Sequence, residues 1–87
     1  MRISVWDTYV ERSGKAIMHF DILVPATLTD EKQIFNYGNR YLSTKSFKTG
    51  KLSANECKFC HIEEASPSIV SEIEENGFFI IEMENCN

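Results

Sequence analysis

The apolar and polar positions divide the chain into six elements. Residues 2–10 are dense in β-formers, with Ile3, Val5, Trp6, Thr8, Tyr9 and Val10. Residues 15–24 alternate, with Met18, Phe20, Ile22 and Val24 on one side. Between them Arg12-Ser13-Gly14 suits a three-residue hairpin loop, Gly14 taking a positive φ. That loop sets a register in which Glu11 faces Lys15, Trp6 faces Phe20 and Asp7 faces His19. Asp7, Tyr9, His19 and Asp21 then share one side of the hairpin with Ile3, Val5, Ile17 and Leu23.

Pro25 ends the hairpin. Asp30 is a good N-cap with Gln33 at the third helical position. Ile34, Phe35, Gly38, Tyr41 and Leu42 follow at helical spacing, which predicts an amphipathic helix over residues 30–45. Ser46 to Lys51 is polar and reads as loop, and Ser53-Ala54-Asn55-Glu56 is a capping box that opens a helical turn. If that helix continued to His61, Cys57, Cys60 and His61 would share a face. If a strand begins near Lys58, Cys60 and Ile62 point one way while Phe59 and His61 point the other. The turn followed by a strand is favoured, because a central parallel pairing needs a third strand here.

Ser66-Pro67 starts a helix whose Ile69, Val70 and Ile73 face the core and which ends at Gly77. Phe78 to Met83 is apolar on both sides up to Glu82, as expected of a central strand. The expected fold is α+β, a single domain over residues 1–87. It has one four-stranded mixed sheet in the order β-β-α-β-α-β, with two main helices packed on one face.

A 43% apolar content, with aromatic residues 11% of the chain, sustains one folded core in 87 residues. A core this small leaves room for dimerisation or a bound metal as a supplement. The net charge of −4 argues against nucleic acid as the main partner. Residues 1–58 carry all nine Lys and Arg against six acids, whereas residues 59–87 carry seven acids and no base. No apolar run approaches a membrane span and no secretory leader is visible, so no membrane partner and a cytoplasmic, reducing location are expected. Uncovered by helices, the sheet face bearing Ile3, Val5, Ile17 and Leu23 would be an apolar patch suited to homodimer formation.

The candidate chemistry centres on Cys57-Lys58-Phe59-Cys60-His61. Covalent haem fits the motif but not the lack of a leader or the small core. Zinc fits the spacing of Cys57 and Cys60 better, with His61 adjacent and Cys86 or His19 able to complete a tetrahedron. A thiol-redox pair of Cys57 and Cys60 lacks the usual strand-then-long-helix setting. Asp7, His19 and Asp21 form a second polar group, readable as a carboxylate–histidine pair or as hydrogen bonding that secures the hairpin. The simplest account of the three cysteines is small buried core residues.

Val5-Trp6-Asp7-Thr8-Tyr9-Val10 followed by Met18-His19-Phe20-Asp21 resembles the opening of a bacterial family of small proteins labelled a domain of unknown function, number twenty twenty-four. The resemblance continues through Glu56-Cys57-Lys58-Phe59-Cys60-His61-Ile62-Glu63 and Ile80-Ile81-Glu82-Met83-Glu84-Asn85-Cys86, covering essentially the whole chain. Asn85 departs from it, standing where the closing motif leads one to expect glycine. The resemblance implies a compact α+β fold and carries no activity, cofactor or catalytic residue. Residues and resemblance together lead to a binding or interaction module, more in keeping with a non-enzyme than an enzyme. The alternative is a zinc-binding or thiol-redox protein using Cys57, Cys60, His61 and Cys86.

Overall fold

The computed structural model describes residues 1–87. Strand β1 (Arg2–Arg12) and strand β2 (Ala16–Pro25) form the hairpin, followed by helix α1 (Glu31–Leu42). Strand β3 (Cys57–Glu64), helix α2 (Pro67–Asn76) and strand β4 (Phe79–Glu84) complete the α+β chain. The sheet order is β3-β1-β2-β4, so the long hairpin is central and the two later strands are its edges.

All three pairings are antiparallel, which corrects the expected mixed sheet and its central parallel pairing. β4 is apolar on both sides without being central. Ile80 packs into the cluster with Phe20 and Ile22, whereas Phe79 and Ile81 pack with Leu23 and Ile73. A strand needs two apolar sides wherever both faces of the sheet are covered, at an edge as well as at the centre.

The helices lie on opposite faces, which corrects the arrangement with both on one face. α1 presents Ile34 and Leu42 to a cluster of 11 buried residues that includes Trp6, Val10, Met18, Phe20, Ile22 and Val24. α2 presents Ile73, with Ile69 beside it, to Ile3, Val5 and Leu23. That apolar patch, expected to be open for self-association, is therefore covered by the chain's own helix. Of the same set, Ile17 remains exposed.

The hairpin register differs from the expected one by two. Trp6 faces Ile22, Asp7 faces Asp21 and Tyr9 faces His19. The loop is Ser13-Gly14-Lys15, because Lys15 (φ 61) joins Gly14 (φ 87) in the left-handed region and moves the closing pair to Arg12 and Ala16. The displaced tip is held by the loop expected at residues 46–51, through Ser13 N–H to Lys48 O and Gly50 N–H to Glu11 O, both at 2.9 Å. A shift of two keeps every side chain on its expected side.

The local punctuation matches the expectations closely. Asp30 caps α1 by accepting from the Lys32 amide at 3.1 Å, and the helix stops at Leu42, three residues before its expected end. Pro67 occupies the first turn of α2 and Gly77 ends it at φ 91. In the capping box the Glu56 carboxylate accepts from the Ser53 amide (2.8 Å) and hydroxyl (2.6 Å). The chain then becomes strand at Cys57, as favoured.

Candidate functional site

α2 spans only the end of its face over Ile3, Val5 and Leu23. Further along the same face the hairpin presents Asp7, Tyr9, His19 and Asp21 uncovered by a helix. These side chains converge because of strand alternation. Asp7 and Asp21 are direct cross-strand partners, as are Tyr9 and His19. Two carboxylates placed opposite each other on paired strands repel, so this pairing costs stability unless a proton or cation lies between them.

His19 supplies the nitrogen. Its Nε2 lies 3.9 Å from Asp7 Oδ1 and 3.8 Å from Asp21 Oδ1. The imidazole plane is set by stacking on Tyr9, with ring centroids 4.1 Å apart and an interplanar angle of 11°. One ligand atom from each of Asp7, His19 and Asp21 lies within 4.8 Å of the other two, and no other group of His, Cys, Asp and Glu gathers so closely.

Asp21 is 9% exposed. Its Oδ1 and the Nε2 of His19 are buried with no hydrogen-bond partner. Burial first, and the Asp7 carboxyl second, push the Asp21 pKa up to about 6, against smaller opposing effects of His19 and His61. Around an ion with bonds of about 2.1 Å, neighbouring ligand atoms sit roughly 3.0–3.6 Å apart, so the His19 nitrogen needs to close on each carboxylate oxygen by only a few tenths of an ångström.

Each edge strand carries a register irregularity beside this group. One lies between Val5 and Trp6 opposite Phe59 and His61, leaving Cys60 as the extra residue. The other lies between His19 and Phe20 opposite Glu84 and Glu82, leaving Met83 extra. The first corrects the expected facing of β3. Phe59 stays with Trp6 on the α1 side (ring centroids 5.7 Å apart), and Ile62 joins them around one hollow. Cys60 and His61 both turn to the side of Asp7, with Cys60 Sγ 3.2 Å from His61 Nδ1. A bulge re-aims side chains in this way, and no glycine marks this one in the sequence.

The four residues of the Cys-x-x-Cys-His reading do not converge. Cys57 and Cys86 are buried in the cluster under α1, whereas Cys60 is exposed beside His61 on the other face. Three residues of strand span about 10 Å, beyond the reach of a disulfide between Cys57 and Cys60. Both thiols are also held above their ordinary pKa, Cys57 by burial and Cys60 by lost solvation followed by Asp7. Cys86 is folded back by Asn85, which adopts φ 57 at the position where glycine was expected. Asn85 Nδ2 donates to Ile17 O at 2.8 Å, and Cys86 Sγ lies 3.4 Å from His19 O. Asn85 thus does glycine's conformational work and adds a hydrogen bond of its own.

The comparisons agree with this architecture. The family model described as "Domain of unknown function (DUF2024)" matches residues 1–83. The NMR structure of protein NE1680 from the bacterium Nitrosomonas europaea is similar over 100% of both chains, at 34% sequence identity and a TM-score of 0.81. No curated protein matches. No helix is long and apolar enough to cross a membrane.

Proposed function

The chain belongs to the DUF2024 family, and we propose that it is a small non-catalytic binding module whose ligand is a divalent transition-metal cation held by Asp7, His19 and Asp21. The observation that carries this reading is the pair of buried, unpartnered atoms, Asp21 Oδ1 and His19 Nε2, 3.8 Å apart. Buried polar atoms are nearly always satisfied, so two orphans aimed at one point suggest a missing positive centre. One imidazole nitrogen with two carboxylate oxygens suits zinc, and water would complete the coordination.

Binding is favoured over catalysis because the hollows of the surface lie elsewhere. None of the three is lined by Asp7, His19 or Asp21, so no substrate-sized cavity adjoins the donors. This oxygen–imidazole group replaces the cysteine set as the favoured zinc ligands, since Cys57 and Cys86 are core residues under α1. A redox role fares worse, because both Cys57 and Cys60 are poor thiolates.

Calorimetric titration of the chelator-stripped chain with zinc chloride tests the reading. We expect one cation per chain. His19→Ala removes one of three protein ligands and lowers the affinity at least about 100-fold, while Cys60→Ser changes it little. Binding that survives His19→Ala and vanishes in Cys60→Ser would return the site to the sulfurs.

A further inference from the structure

β3 is an exposed edge. Every residue after Cys57 in it is solvent-exposed, including Phe59 at 52% and Ile62 at 37%. An edge strand presents a row of unpaired backbone N–H and C=O groups, and proteins usually blunt it with charges or a bulge. Here one opposite-charge pair, Lys58 and Glu63, lies symmetrically about the Cys60–His61 junction beside the bulge, while Glu64 falls opposite the buried Cys57. Reading outward from the Cys60–His61 junction, Phe59 matches Ile62 and Lys58 matches Glu63. The bulge keeps the faces symmetric too, with Phe59 and Ile62 on the α1 side and Cys60 and His61 on the other.

We infer that β3 is a self-association edge: two copies of this chain pair antiparallel about a two-fold axis between Cys60 and His61. In that register Lys58 meets Glu63 of the second copy and Phe59 meets its Ile62, each contact occurring twice. Lys58 makes no ion pair within its own chain, and Glu63 meets only His61, at 3.3 Å. The pairing buries the exposed rims of Phe59 and Ile62, which line an open hollow with Trp6 and Leu28. It also sets the two Cys60–His61 pairs side by side across the axis. The opposite edge offers no such match. The charges of β4 are Glu82 and Glu84 only, so self-pairing there juxtaposes acids with acids or with apolar residues.

This inference is independent of the cation site and is tested with chelator present, so that no metal bridges chains. Sedimentation equilibrium of the full chain from low micromolar to millimolar concentration is expected to give twice the chain mass at the upper end. Lys58→Glu opposes two acids across each of two contacts and weakens the dimer by roughly tenfold or more. Adding Glu63→Lys to it reverses both charges and restores the dimer, whereas Glu63→Lys alone weakens it. Phe59→Lys abolishes it, while a thiol crosslinker captures the native dimer through Cys60. A monomer at all concentrations overturns the inference. So does a dimer that ignores Lys58→Glu, or one that the double exchange fails to restore.

Discussion

The two faces of the sheet solve opposite problems. Under α1 the hairpin positions are sealed from Ser4 to Val10 and from Met18 to Val24: 11 buried residues pack together, and the polar Thr8, at 0% exposure, finds a partner in the Trp6 carbonyl at 3.4 Å. Under α2 the core has four buried residues and stops halfway along the hairpin. Beyond that point, the same strands hold two aspartates opposite each other and an imidazole with an orphaned nitrogen. A face built for stability would not keep that arrangement, which raises the free energy of the fold. On the proposed reading, this difference makes the half-covered face the working one.

The sharpest way to break this comparison is to damage each face in turn. Phe20→Ala empties the centre of the α1 face and is expected to cost about 3–5 kcal/mol, measured by urea denaturation. Tyr9→Ala, on the open face, should cost under about 1 kcal/mol, since Tyr9 is 52% exposed. Comparable losses from the two would contradict the assignment of roles.

A smaller effect is expected at Gly38. A Cβ there would overlap Leu52 Cδ1 and sit 2.8 Å from Ile22 Cδ1. Despite the better helix propensity of alanine, Gly38→Ala should destabilise by about 1–3 kcal/mol. A stabilised variant would show that the α1 face is looser than described.

On the open face the expected sign reverses. The Asp21 pKa is raised from 3.8 to about 6, so the folded chain binds more protons than the unfolded one between those values. Cation-free stability therefore falls as pH rises through this window, and the full cost is carried above about 6. Below it, zinc must displace the Asp21 proton, and its apparent affinity should drop roughly tenfold per pH unit. A flat affinity between pH 5 and 7 would remove Asp21 from the ligands; those pH values follow from the Asp21 pKa of about 6.

The smallest fold-level features were the most legible. Asp30, Pro67 and Gly77 mark helix ends because capping chemistry is local. The grouping of Asp7, His19 and Asp21 was legible as well, since alternation fixes sides and an even register shift preserves them. The choice of face for α2 was not, because it depends on which apolar patch remains open once α1 has docked. Nor was the bulge at Cys60, whose extra residue leaves no trace in composition. Without it Cys60 and His61 read as pointing apart, and the pentapeptide around them drew attention to sulfur. The orphaned Asp21 oxygen and the Asp7–Asp21 pairing became visible only with burial and register.

Thermal unfolding of the native chain and Asp21→Asn at neutral pH, each with and without zinc, tests the central claim most directly. The account predicts that Asp21→Asn is the more stable protein in chelator, by about 1 kcal/mol, because it removes a buried carboxylate whose Oδ1 has no hydrogen-bond partner. It also predicts that zinc raises the midpoint of the native chain and leaves the variant nearly unmoved. A variant less stable than the native chain in chelator, together with equal zinc shifts for both, would mean that Asp21 serves the fold and not a cation.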